Sequence, residues 1–530
     1  MTTLATEIPV PPTPSRLDRL DAWCERIGDS LNPILVKETR QALKSRQFVG
    51  TFSVLLVAAL AWTIIGSLSM MPQIYTSPSA PRMLIGYYLV LALPMLVVVP
   101  LAAYRSLEGE IDDGTLELLS ITVLSPWQIV LGKLASAMLQ MLLYFVALFP
   151  CVAYAYTLRG VDLPTTLLIM GILLVAGIVL TIVALFFAPL ARTRTGRITT
   201  LLAVMMLLLG AEWGLAYMVI SMILEGNPMS ANGMLFAVIA TLLVAFAIGH
   251  LLLTATAAQL TPESENRSTH LRVSLLFLTT VVLGVAVLGI RMLEEVGIGL
   301  SFMLALFLAG LWTVTGSMMV AESSTITPRI RRELPSSLLA RMFLTWLTPG
   351  PVSGLVFSVV TIFIVNIAIA LVIQLAAEQA VFNSFAPRSA ISMLSRLCVA
   401  YSAYLVGFLT IVRWVVAAVR IRNHPRVEVG LAAMIAVAML AALVPYSIGL
   451  HYNDYRSYAY SPWQITNWVW TLGQILDRSN TNYIVETILV FVTIGFFATV
   501  MASPGIVMPR RTAMPERVKQ ELEKPSTSPS

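Results

Sequence analysis

The sequence predicts an all-α polytopic membrane protein with about twelve transmembrane helices, and three observations carry that reading. Hydrophobic residues make up 57% and charged residues 12% of the 530, and the mean hydropathy is +0.82. Soluble domains carry about twice that share of charge. Apolar runs of about 20 residues, the length that crosses ~30 Å of hydrocarbon, recur along the chain. Lys and Arg gather in alternate loops between those runs, as they do when insertion retains them on the cytoplasmic side.

Ahead of the first run, residues 1–14 are Pro-rich and polar, without the early apolar core of a signal peptide, and read as a disordered tail. Residues 15–47 read as cytoplasmic amphipathic helices at the interface. Leu17, Leu20, Trp23, Cys24, Ile27 and Leu31 recur there at helical spacing. Asn32-Pro33 then restarts a helix in cap-then-proline form, and Lys37, Arg40 and Lys44 share one face of it. Such a helix lies flat with its cations at the phosphates, so membrane lipid is an expected partner.

The apolar runs follow at roughly 48–71, 83–103, 128–157, 165–188, 198–224 and 234–255. After a cytoplasmic linker at 256–272 they resume at 273–290, 298–320, 352–376, 393–418, 428–450 and 481–502. The third run brings its own helix start. Ser125 caps backbone donors, Pro126 suits the first turn, and Gln128 sits at the reciprocal position of a capping box. Residues 503–530 read as a disordered tail.

Orientation follows from the basic residues. With the amino terminus inside, Lys37, Arg40, Lys44, Arg46, Arg192, Arg194, Arg197, Arg267, Arg272, Arg329, Arg331, Arg332, Arg341, Arg420, Arg422, Arg426, Arg510 and Arg511 all fall on the cytoplasmic side. Both termini are then cytoplasmic and the protein belongs in the inner membrane. The net charge of +6 reflects this sorting, and no nucleic-acid partner is expected.

Several chemistries find no support. The three cysteines (Cys24, Cys151 and Cys398) lack metal or disulfide spacing, and the four histidines form no H-E-x-x-H cluster. No G-x-S-x-G occurs. No G-x-x-x-x-G-K-[ST] occurs either: Gly132-Lys133 lacks the upstream glycine and the following hydroxyl. No cofactor, metal or catalytic residue is expected, and the chain does not read as an enzyme.

The most specific stretch is Glu110-Ile-Asp-Asp-Gly-Thr-Leu-Glu-Leu-Leu119, followed by Ser125 to Lys133. It reads as a short acidic amphipathic helix in the loop 104–127 between two spans, with a capped span behind it. The stretch resembles the coupling-helix region of permeases of the ABC type-2 exporter group, approximately E-x-E-x-G-T-x-E-L-L…P-L-S-x-x-x-I-x-L-G-K. The match falls at Glu108, Glu110, Gly114, Thr115, Leu116, Glu117, Leu118, Leu119, Leu124, Ser125, Ile129, Leu131, Gly132 and Lys133. Val123 stands where the family often has proline, and Asp112-Asp113 where a base is common. The run from Asn32 through Pro33, Lys37, Glu38 and Arg40 is similar to the N-P-x-x-x-K-E-x-R element of the same permeases. Together the two motifs extend the resemblance over roughly residues 30–255.

The resemblance implies a membrane-spanning permease subunit of an ATP-driven exporter, with 48–255 as a six-span permease domain. A separate cytoplasmic ABC ATPase would dock on the loop 104–127, and ATP would be hydrolysed on that polypeptide. Glu110, Asp112, Asp113, Gly114, Thr115, Glu117 and Leu118 would couple the two. The interface helix would carry Asn32, Pro33, Lys37, Glu38, Arg40 and Lys44.

Residues 273–502 form a second six-span domain without the acidic signature. Its longest cytoplasmic loop, 321–351, follows its second span, and its longest external segment, 451–480, follows its fifth. A parallel six-plus-six arrangement fits this layout, so the assembly is a homodimer or an intramolecular pseudo-dimer. Tyr452, Tyr455, Tyr458, Tyr460, Trp463, Trp468 and Trp470 suit the outer interface. Glu212, near the centre of the fifth span, is the candidate substrate-path residue, because a charge at that depth needs a partner or a polar path. Two other classes fit the same spans: an ion-coupled secondary transporter and a non-transporting assembly subunit.

Overall fold

The computed structural model of the chain describes residues 33–503, apart from 73, 75, 115–124, 161–162, 192, 226–229, 263–264, 294, 324–329, 332–336, 338–339, 341–343, 379–387, 421–426, 457–458 and 478–481. Every secondary-structure element among the described residues is helical. Twelve helices are long and apolar enough to cross a membrane. The chain is an all-α integral membrane protein. The expected tail 1–14, the amphipathic stretch 15–32 and residues 504–530 lie outside the described residues.

The chain divides into two compact units, Met1–Met229 with Ala255–Leu260, and Ser230–Thr254 with Thr261–Ser530. The first opens with α1 (Pro33–Lys44), whose exposed face carries Lys37, Arg40 and Lys44. Ser45 separates it from the first span, α2 (Arg46–Ser69). The Ser45 hydroxyl accepts from Phe48 N and donates to Ala42 O, so one side chain closes α1 and caps α2.

The second span is α3 (Ala80–Leu93), one wide π turn (Pro94–Val98) and α4 (Val99–Asp112). Pro94 and Pro100 remove the amide hydrogens that would bind the carbonyls of Val90 and Leu96, and the backbone widens where those bonds are lost. The whole span has 33 residues, about 50 Å at 1.5 Å per residue. It outruns ~30 Å of hydrocarbon, so it must tilt or project past it. The next helices are α5 (Pro126–Thr157), α6 (Leu163–Phe187) and α7 (Arg194–Glu225). The capping box at Ser125 is present in both halves: Gln128 N donates to Ser125 Oγ and Ser125 N to Gln128 Oε1. Hydroxyl pairs tie α2 to its neighbours, Thr51 with Tyr144 at 2.7 Å, Thr63 with Tyr87 at 2.6 Å and Ser67 with Tyr154 at 2.9 Å.

The sixth span, α8 (Ala231–Leu260), belongs for most of its length to the second unit. By sequence it closes the first six-span set at 255. In the structure Ala247 is fully buried in a cluster with Leu278, Val282, Leu308 and Val365. Apolar periodicity marks α8 as a span but cannot say which neighbours cover it, because a membrane helix is apolar all round.

The second unit continues with α9 (Ser268–Leu293), α10 (Glu295–Val320), α11 (Pro351–Glu378), α12 (Arg388–Arg420) and α13 (Glu428–Tyr452). Its core joins Leu275, Trp312, Met319, Leu355, Leu409, Val412 and Ile488. A short 3-10 turn (Pro462–Thr466) and α14 (Trp468–Asp477) precede the last span, α15 (Asn482–Ala502). The aromatic segment is divided in its role. Trp468 Nε1 donates to Ala438 O at 3.0 Å, Tyr460 pairs with Thr471, and Tyr404 donates to Ile465 O, so the segment folds back onto α12 and α13. Tyr452, Tyr455 and Trp463 stay exposed. Tyr458 lies outside the described residues.

Candidate functional site: a buried charge network in the first unit

Gly132 and Lys133 do different work on one turn of α5. A Cβ at Gly132 would lie 2.8 Å from Ile34 Cγ2 and 3.3 Å from Leu35 N. Its absence lets α1 rest on α5. Lys133 then reaches under α1 with its side chain 1% exposed. The ammonium donates to Glu38 Oε1 at 3.1 Å and to Ser106 Oγ at 2.7 Å. Glu110 Oε2 is its third neighbour, at 3.1 Å, a Coulombic contact more than an aligned hydrogen bond. Ser106 donates to Glu38 Oε2, and Lys37, largely exposed, pairs with Glu110 Oε1 at 3.3 Å.

Glu38 comes from α1, Ser106 and Glu110 from α4, and Lys133 from α5. Two cations and two carboxylates cancel, and Lys133 has one neighbour for each of its three hydrogens. An ion this buried is tolerated only when it is so surrounded, and removing one member of such a pair costs about 3–5 kcal/mol. The network therefore joins three helices into one body at this end of the unit.

The start of the expected acidic helix is placed differently. Glu110 and Asp112 do not sit on a separate loop helix but on the last turns of α4, continuous with the second span. No proline falls between Pro100 and Gly114. The helix stops where Gly114 takes φ +67, the left-handed conformation that glycine adopts without a Cβ clash. Nor are both acids free. Glu110 is held by Lys37 and Lys133, and Asp112 pairs with Arg197 of α7. Asp113 and Gly114 are exposed. Thr115, Glu117, Leu118 and Asn32 lie outside the described residues, as does the side chain of Pro33.

Glu212 is on the inward stripe of α7, four residues from buried Leu208 and four from buried Ala216. The structure does not bring it to the Lys133 network, and no ion pair forms with it among the described residues.

Sequence reasoning noticed Lys133 only as a motif letter and missed Ser106 and Arg197. One signal was available: a lysine seven residues inside an apolar helix demands partners. Which partners answer it is a tertiary matter. No family model, curated protein or solved structure matches the chain. The fold and the site define a polytopic helical membrane protein with an ion-paired helix junction.

Proposed function

We propose that the chain is the permease subunit of an ATP-driven exporter, driven by a separate cytoplasmic ABC ATPase that docks at the loop 104–127. The protein would sit in the inner membrane with both termini cytoplasmic. The observation that supports this best is the junction at Lys133. A force applied to the chain after Asp112 reaches α4 directly, and the ion-paired network passes it to α1 and α5 without an intervening flexible joint. Alternating opening of a path through the membrane needs that kind of connection. The capped start of α5 holds the other side of the loop in the same way. Docking itself falls to Asp113 and to the residues after it, since Glu110 and Asp112 are committed to internal ion pairs.

The test is isolation of the full-length tagged chain from its native membranes. A P-loop ATPase polypeptide should co-purify, and Asp113→Lys combined with Glu117→Lys should lower its recovery, because complementary charge sets association and register. Lys133→Met should keep the ATPase bound while reducing transport-linked hydrolysis in liposomes. A chain that emerges with no ATP-hydrolysing partner overturns the reading.

A further inference from the structure

The two halves of the second span are fastened to different partners. Its outer half, α3, is held by α2. Trp62 Nε1 donates to Met83 O at 3.2 Å, and Thr63 pairs with Tyr87 at 2.6 Å. The Trp62 indole fills the notch at Gly86, where an added Cβ would lie 2.0 Å from it. The inner half, α4, is held by α1 and α5: Ser106 and Glu110 meet Lys133, and Ser106 donates to Glu38. Two further helices divide in the same way. α6 packs on α4 and the π turn, α7 on α3 and the π turn.

Between the halves the helix ladder is interrupted. Pro94 and Pro100 each lack an amide hydrogen, and Val99 N donates to Pro94 O, five residues back, where an α-helix bonds four back. The packing around this joint is small and soft. A Cβ at Gly177 of α6 would lie 3.2 Å from Met95 O and from Met141 Sδ. Met95 and Met141 are fully buried, and thioether side chains adapt readily to a changed neighbour. α5 runs beside both halves and carries Pro150 in its outer part. Its tie to α2 at Thr51 and Tyr144 falls one turn from Met141, at the level of the joint, so a pivot there displaces it little.

One contact crosses from the inner half to a helix of the outer group. Asp112, the last residue of α4, pairs with Arg197 in the first turn of α7. Each side chain is 33% exposed, and pairs of that kind are weak and screened by salt.

We propose that the π turn is a hinge and that the Asp112–Arg197 pair is the latch that keeps it closed. On release α4 swings away from the start of α7 and carries α1 and the inner part of α5 with it, while α3 stays with α2. The arm has 14 residues, about 21 Å at 1.5 Å per residue. A pivot of about 15°, the size of known rigid-body rotations, moves its end by about 5 Å. The hinge deepens the coupling reading, since it supplies the joint across which a push on the loop 104–127 becomes a movement. It belongs to this chain alone and is tested without an ATPase, so its failure would leave the docking reading untouched.

The experiment is pulsed electron paramagnetic resonance on the full-length protein in lipid nanodiscs, with Cys24, Cys151 and Cys398 replaced by serine. Spin labels on Asp113→Cys with Ile198→Cys report the inner ends of α4 and α7. Labels on Arg82→Cys with Leu224→Cys report the outer ends of α3 and α7; all four positions are exposed. Asp112→Asn should lengthen the inner distance by about 5 Å, or add a second population at that distance, and leave the outer distance as it was. Pro94→Ala with Pro100→Ala restores both donors and should suppress the shift. If that variant folds poorly, Gly177→Ala sets a Cβ against Met95 O and should reduce the shift instead. An inner distance unchanged by Asp112→Asn, inner and outer distances that move together, or a full shift in either folded hinge variant overturns the proposal.

Discussion

Among the described residues, each unit buries one cation at the end of a span, and the two are used differently. In the first, Lys133 holds carboxylates on two other helices and a serine. In the second, Arg272 of α9 is fully buried and pairs with Glu322, just past α10, at 2.7 Å. Its other contacts are to the short 3-10 turn Thr345–Leu347, to Gly350 and to the first turn of α11. It donates to Trp346 O, to Ser353 Oγ at 3.4 Å and to Gly350 O at 3.5 Å. Gly350 N and Ser268 Oγ complete Glu322, and Arg420 donates to the carbonyls of Ala321 and Glu322. Phe357 lies 5.5 Å from the guanidinium. A lysine is a point charge that gathers acids from several directions, whereas an arginine fork satisfies fixed carbonyls. The first network joins helices. The second pins the chain that leads into α11.

The largest expected effect tests that distinction. Arg272→Met leaves the Glu322 charge without its cation and Trp346 O without this donor, and should cost about 3–5 kcal/mol, read as loss of monodisperse protein in fluorescence-detected size exclusion. Arg272→Lys should rescue little, since an ammonium cannot span the same acceptors. A full rescue by lysine would erase the contrast between the units.

Lys133→Met should cost a similar amount on its own, about 3–5 kcal/mol, but its damage should be more reparable. Adding Glu38→Gln and Glu110→Gln removes the stranded charges and should recover a substantial part of the folded yield. Cysteine placed at Ile34, now buried, should become reactive to thiol reagents in Lys133→Met if the network holds α1 down. Unchanged protection would mean that packing on Gly132 is sufficient.

Two glycines sharpen the comparison on a smaller scale. A Cβ at Gly354 of α11 would sit 2.5 Å from Met319 O, a backbone atom that cannot move aside, whereas at Gly132 the nearest atom is on the Ile34 side chain. Overpacking costs typically about 1–3 kcal/mol. Gly354→Ala should fall at the upper end and Gly132→Ala at or below the lower, measured as Tm in nanodiscs.

The smallest effect is expected at Asp112. Its pair with Arg197 is about one-third exposed on each side, and exposed pairs contribute about 0–1 kcal/mol. Asp112→Asn should shift Tm by little and should leave ATPase recovery nearly unchanged, unlike the Asp113 and Glu117 double variant.

These particulars also divide what could be read from the chain from what could not. The spans were legible because twenty consecutive apolar residues have few other uses, and the start of α5 was legible because Ser125, Pro126 and Gln128 satisfy one another within four residues. Local signals of this kind need no distant partner. The acidic stretch was only half legible: composition marked it as polar, but Glu110 to Asp112 continue α4, because nothing between Pro100 and Gly114 stops that helix. Glu212 announced itself as a charge out of place, four residues from buried Leu208 and Ala216 on α7.

By itself, then, the sequence determined the class of protein, the count of its membrane helices and the cap that starts α5, since each depends on residues within a turn or a span of one another. Tertiary structure alone decided that α8 packs with the second unit, that Glu38 and Glu110 meet at Lys133, and that Arg272 holds a loop more than seventy residues away. In a membrane helix almost every face is apolar, so periodicity carries little information about neighbours. The rare polar side chains must find each other across long separations in sequence, and only the packed bundle shows which of them did.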